Sequence, residues 1–141
     1  MPDALSLQML YRVSYLLVTL ARMREDGHGA RRAEARRRLG SWVTGPRASA
    51  LDGILERGER MLVTQESGAG ARRAAYRHAF MLCTALRARQ RQRFIADLEA
   101  VAAVGGPAGE LELGFIAMIQ RVFGLGVVDE SELERDRADV A

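Results

Sequence analysis

Apolar residues recur at helical spacing along most of the chain. In the first segment, residues 3–24, they follow one another at intervals of three and four: Leu10, Val13, Leu17 and Leu20. This spacing places them on one face of a helix, and further apolar residues beside them widen that face. We therefore expect the first segment to be a mostly buried helix.

Four more segments show the same periodicity, and stretches rich in glycine, serine or proline separate them. Their predicted ranges are 30–43, 46–65, 71–104 and 109–123. Because helices in compact domains average roughly 11 to 12 residues, the segment 71–104 should break near 88–90. Its first half is expected to bury Phe80, Leu82, Cys83 and Leu86. The segment 109–123 is apolar nearly all round, which predicts a position at the centre of the bundle.

The composition favours one all-α domain. A chain of 141 residues is of common single-domain size, and only 6% of its residues are aromatic, whereas strands concentrate aromatic and β-branched residues. We expect a compact bundle of about six to seven helices over residues 1–128. Residues 129–141 contain six acidic residues and two arginines, which predicts an acidic tail that is frayed or disordered.

Arginine dominates the charge pattern. All 21 basic residues are arginines, a bias that we interpret as GC-rich bacterial coding. Five of them lie in the second predicted helix and are candidates for binding a partner or an anion: Arg31, Arg32, Arg36, Arg37 and Arg38. Because acidic residues interleave with arginines along most of the predicted helices, an ordinary solvated face explains the same pattern.

The sequence contains no recognisable catalytic motif. Cys83 lies in an apolar run, and neither His28 nor His78 has a Cys or His neighbour at metal-ligand spacing. A Ser-His-Asp arrangement, a phosphate-binding glycine loop and a His-Glu zinc motif are not recognisable. Polar residues interrupt the most apolar stretch, 5–21, so it predicts neither a signal peptide nor a membrane span. We expect a cytoplasmic protein that is not an enzyme and needs no cofactor.

Two places in the chain share one arrangement: a buried helix, a run of small residues, a glycine-containing turn, and a Glu early in the next helix. The first runs from Ala21 through Asp26 and Gly27 to Glu34. The second runs from Ala103 through Gly105 and Gly106 to Glu112, and its apolar stripe ends in Phe123, Gly124 and Leu125.

Over residues 10–125 this layout resembles the TerB family of tellurite-resistance proteins and the related N-terminal domain of a DnaJ-type co-chaperone. The resemblance implies an all-α bundle with pseudo-twofold helical halves and an acidic patch that binds a divalent metal. The matching carboxylates are Asp26, Glu34 and Glu112. Gly105 stands where the second turn of the family offers an Asp, so the resemblance implies three carboxylate ligands here.

These observations support three functional hypotheses. The first is a non-catalytic TerB-like module that binds a partner protein, as an adaptor in a bacterial stress or tellurite-resistance response. The alternative is an arginine-rich helical protein that binds nucleic acid or an anionic membrane surface without specificity. No aromatic residues interleave with the arginine runs to stack on bases, which argues against nucleic acid. The third is an enzyme whose site assembles only in the folded chain.

Overall fold

The computed structural model describes residues 4–24, 27–64 and 69–125. Six α-helices form from this part of the chain, and it contains no strand, which confirms the predicted all-α class. They are α1 (Leu7–Ala21), α2 (His28–Gly40), α3 (Leu51–Val63), α4 (Ala69–Ala85), α5 (Ala88–Ala102) and α6 (Glu110–Val122). The predicted acidic tail, 129–141, lies outside the described residues.

Helix α1 is the centre of the bundle. It starts where the side chain of Ser6 accepts a hydrogen bond of 3.2 Å from the backbone amide of Met9, an N-cap that satisfies one unpaired amide of the first turn. From there α1 packs against α2, α3, α4 and α5. Every residue from Val13 to Val18 is buried. The prediction of a mostly buried first helix is therefore confirmed.

Helix α6 is not central, and that prediction is wrong. Its main contacts among the described elements are with α4 and α5, so one side of it faces outward. On that side Leu111 is 75% exposed and Leu113 is 55% exposed. The apolar residues on all sides of α6 predicted that the whole helix is buried, but only one side of it is.

Two predicted boundaries also move. The segment 46–65 begins within a 3₁₀ helix, Gly45–Ala50, and continues as α3. Pro46 lies at the first turn of the 3₁₀ helix, where its missing amide costs nothing. The break in 71–104 comes at Leu86 and Arg87, just before the predicted position. There the backbone amide of Arg87 donates to the side chain of Gln90 at 2.8 Å, which starts α5.

Helices α1 and α3 approach closely at Gly58. A Cβ atom at this position would lie 2.9 Å from the backbone carbonyl carbon of Ser14, closer than real Cβ contacts allow. The Ser14 side chain is fully buried and donates to the carbonyl of Leu55 at 3.4 Å. A glycine is needed here because the obstacle is backbone, which cannot move aside as a flexible side chain can.

We expect Gly58→Ala to lower the free energy of unfolding by about 1–3 kcal/mol, because the added methyl group must push α3 away from α1. Gly53→Ala is the matched control in the same helix, since a Cβ there meets nothing within 4 Å. It should leave stability unchanged or raise it by up to about 1 kcal/mol through helix propensity. Urea denaturation followed by circular dichroism measures both. Equal stability of the two variants would contradict the close approach.

Candidate functional site

The exposed arginines of α2 are paired with carboxylates. The Arg32 guanidinium donates two hydrogen bonds of 2.9 Å to Glu59, and these bonds are the main cause of the lowered pKa of the Glu59 carboxyl. The hydrogen bond from Arg37 likewise lowers the pKa of Glu34. The pairs are Arg32 with Glu59, Arg36 with Asp52, and Arg37 and Arg38 with Glu34. The predicted cationic face is thus a set of ion pairs rather than a bare positive surface.

Arg31 does not belong to that face, and its assignment to an exposed partner-binding or anion-binding set is wrong. Its side chain is only 1% exposed. The guanidinium donates to the carbonyl oxygen of Ala102 at 2.7 Å and to the carboxylate of Glu112 at 3.0 Å. It also donates to the carbonyl of Val104 at 3.3 Å. Arg31 therefore joins α2 to the end of α5 and to α6 from inside the protein.

The structure gives the two described carboxylates of the predicted metal site different arginine partners. Glu112 is buried and pairs with Arg31 and with Arg24, whose Nε lies 3.5 Å from it. Glu34 pairs with two arginines of its own helix. Asp26 lies outside the described residues. Within the described ranges no three His, Cys, Asp or Glu side chains are grouped so as to hold a metal ion.

A buried carboxylate that the sequence analysis missed is Asp97. It accepts a hydrogen bond of 2.8 Å from the indole nitrogen of Trp42, and the guanidinium of Arg38 lies 3.5 Å away. Burial raises the pKa of Asp97. The Arg93 guanidinium lies over the Trp42 ring, 4.0 Å from its centroid. The sequence feature that could have revealed Asp97 is its position as a polar residue within the apolar stripe of α5. Through its contact with Arg38, Asp97 joins α5 to α2.

Helix α4 carries the largest aromatic surface on the described part of the chain. Tyr76 is 54% exposed and Phe80, one helical turn later, is 52% exposed. The prediction that Phe80 is buried is wrong, because alanines and Leu82 form the inner stripe of α4. Arg72 and Arg77 are exposed beside the two rings. We call these four residues the α4 aromatic surface.

The α4 aromatic surface was not among the candidates identified from the sequence. Helical spacing could have revealed it, since Tyr76 and Phe80 stand four residues apart, on a different side of the helix from Ala75 and Ala79. Helices α1 and α4 are the two described helices whose sequences contain no Asp or Glu. Within the described ranges, Arg72 and Arg77 form no ion pair with a carboxylate, unlike the exposed arginines of α2.

Comparison of the chain with protein-family models, with curated proteins and with solved structures finds no match in any of the three. No described helix combines the length and the apolar character that crossing a membrane requires.

His78 lies on the inner side of α4, where α4 meets α1. Its ring centroid is 4.3 Å from that of the buried Tyr15, and its Nδ1 is 3.0 Å from Nη1 of Arg12. Burial, with smaller contributions from the charges of Arg12 and Arg77, lowers the pKa of His78 from 6.5 to about 4. The imidazole is therefore neutral at pH 7 and accepts the hydrogen bond from Arg12.

We expect Glu112→Gln to lower the free energy of unfolding by about 3–5 kcal/mol, because the Arg31 charge stays buried without compensation. Glu110→Gln, at an exposed position in the same turn of α6, should change stability by less than about 0.5 kcal/mol. Replacing both partners, Arg31→Met with Glu112→Leu, should recover most of the loss. Chemical denaturation measures all three variants, and a Glu112→Gln protein as stable as the Glu110→Gln protein would contradict the pairing.

His78 should make the folded state less stable as the pH falls. The folded pKa of about 4 lies below the ordinary value of 6.5, so the unfolded chain takes up the proton first, and stability present above pH 6.5 is lost toward pH 4. The shift corresponds to about 3 kcal/mol at most. His78→Gln should remove this part of the pH dependence and His28→Gln should keep it. Unfolding free energies at pH 7 and pH 4.5 test this, and parallel curves for the wild type and His78→Gln would refute it.

Proposed function

We propose that this chain is a non-catalytic helical interaction module that binds an acidic segment of a partner protein through the α4 aromatic surface. The observation that supports this function is the pair of half-exposed rings, Tyr76 and Phe80, beside arginines on a helix without a carboxylate. Tyrosine and arginine are over-represented among the residues that contribute most to protein–protein binding.

The free-energy argument starts from the rings. Each leaves about half of its side chain in water, and covering that apolar area is favourable at roughly 25 cal/mol per Å². Their spacing of one turn, about 6 Å along the helix, lets a single partner segment contact both. Arg72 and Arg77 lie at the edge of this apolar centre. The partner segment should therefore combine apolar residues with Asp or Glu, since charge complementarity selects the partner and speeds association.

Nucleic acid is the second candidate, and one observation favours it: rings beside arginines are the arrangement on which unpaired bases stack. A non-specific nucleic-acid surface also needs several cations free to contact phosphates. The exposed α2 arginines that would extend such a surface are instead engaged by carboxylates. On α4, Arg72 and Arg77 lie at the edge of an apolar centre, an arrangement that fits a protein segment better than a phosphate backbone.

The TerB-like resemblance adds a hypothesis about context. It suggests that the partner belongs to a bacterial stress or tellurite-resistance response, and that the module acts as an adaptor. The α4 aromatic surface supports the binding part of this hypothesis and is independent of the metal ligands that the resemblance implies.

A photo-reactive phenylalanine analogue at position 80 tests the proposal inside cells. It should cross-link to one protein, within a segment rich in acidic and apolar residues. The same analogue at Val63, which is 68% exposed at the end of α3, is the control and should not give that product. If position 80 cross-links only to RNA or DNA, the second candidate function is correct; if both positions give the same products, neither is.

The segment identified in this way allows a quantitative test with purified protein. Tyr76→Ser and Phe80→Ser should each weaken binding at least tenfold, because each removes a ring from the centre of the interface. Val63→Ser removes an exposed apolar group from another helix and should leave the Kd unchanged. Isothermal titration calorimetry measures all three, and equal affinities would exclude α4 as the binding surface.

A further inference from the structure

The chain itself contains a segment with the composition that the α4 aromatic surface is expected to bind. Residues 129–141 carry six acidic residues and two arginines, a net charge of −4. Within them Leu133 stands between Glu132 and Glu134. An apolar side chain flanked by carboxylates complements rings that are bordered by arginines. The acidic tail is therefore a candidate occupant of that surface in the same molecule.

The acidic tail is attached close to α4. Helix α6 packs against α4 and ends at Val122, and Leu125 beyond it still packs against the core. Packed helices lie about 8–10 Å apart, and the eight residues from Leu125 to Leu133 can span up to about 28 Å. Helix α4 has 17 residues and is about 25 Å long. Because both rings lie near its middle, Leu133 is within reach of them.

Two arginines at the α4 aromatic surface can accept a new carboxylate without losing an old one. On α2 a tail carboxylate would have to displace Glu59 from Arg32. Arg72 and Arg77 are exposed, and within the described ranges neither forms an ion pair with a carboxylate. Exposed ion pairs alone contribute little, so the half-exposed rings must add apolar contact with Leu133. On α4 both contributions are available at one place.

Attachment to the same chain allows a weak contact to persist. A tethered segment reaches a nearby surface at an effective concentration on the order of millimolar. A contact with a Kd of about 0.1 mM would then keep the tail bound for roughly nine-tenths of the time. A partner that needs the same surface must displace the tail, so the apparent affinity of that partner falls roughly tenfold.

We propose that the acidic tail binds the α4 aromatic surface of its own chain, with Leu133 against the two rings and the neighbouring carboxylates beside the two arginines. The tail occupies the surface until a partner of higher affinity displaces it. This regulatory role rests on the proposed function, because it concerns access to the same surface. The contact between the tail and α4 needs no partner, so the two proposals can fail separately.

The three tyrosines allow a direct test in the full chain. Tyr76 belongs to the α4 aromatic surface, and Tyr15 is buried. Tyr11 lies on α1, with the guanidinium carbon of Arg57 5.5 Å from its ring centroid. When 3-fluorotyrosine occupies all three positions, fluorine NMR with a neutral gadolinium chelate reports how far solvent reaches each ring. A bound tail should protect the Tyr76 signal from the chelate, and Tyr11 and Tyr15 serve as internal controls.

A tail variant that combines Leu133→Ser with Glu132→Gln and Glu134→Gln should raise the broadening of the Tyr76 signal at least twofold. The control variant, Glu99→Gln with Glu110→Gln, removes the same number of charges at exposed positions of α5 and α6 and should leave that signal as in the wild type. Equal broadening in the wild type and the tail variant would overturn the proposal. Protection that grows with protein concentration would also overturn it, because the tail would then come from a second copy.

The regulatory role is tested with the partner segment by isothermal titration calorimetry. The tail variant should bind that segment roughly tenfold more tightly than the wild type, because no tail competes for the surface. Equal affinities for a segment whose binding needs Tyr76 and Phe80 would refute the role of the tail and leave the proposed function intact. Exposure of Tyr76 in the tail variant, with no partner cross-linked at position 80, would support the tail contact and refute the proposed function.

Discussion

Burial of α1 among four other helices is the constraint on which the rest of the molecule depends. Because four helices pack against α1, each of them needs a surface that fits a different side of α1. Toward α3 the match is Gly58, which lets two backbones approach at Ser14. Toward α4 the fully buried ring of Tyr15 packs beside His78. Each neighbour of α1 therefore presents a different inner face, a glycine on α3 and an imidazole on α4.

Helix α4 shows the consequence most clearly. Its inner stripe is occupied by Ala74, Ala75 and Ala79 together with Leu82, all of them buried. Tyr76 and Phe80 stand on a different side of the helix and remain in water. Small residues inside and rings outside reverse the usual distribution on an amphipathic helix. The candidate binding surface thus arises from the way α4 meets α1 rather than from a motif that could be recognised in isolation.

The sequence predicted the local features well, because helical periodicity and helix ends depend on neighbouring residues. The six helices and the buried α1 follow from spacing of this kind. What the sequence could not predict is which arginine meets which acid. Arg31 looks like its neighbours along the chain, yet its partner Glu112 is 81 residues away and belongs to another helix. The prediction that Phe80 is buried was wrong for a related reason. It rested on the hydrophobicity of the residue, whereas burial depends on which face of α4 packs against the other helices.

The arginine content acquires a physical meaning from these pairings. Arg32 forms two hydrogen bonds of 2.9 Å with one carboxylate, a geometry that the planar guanidinium provides and a lysine ammonium does not. Coding bias alone therefore does not describe what these side chains do. Because so many arginines are neutralised in this way, the formal net charge of +3 says little about where positive potential reaches solvent. Helices α1 and α4 contain arginines and no acid, so their positive charge is not offset within either helix.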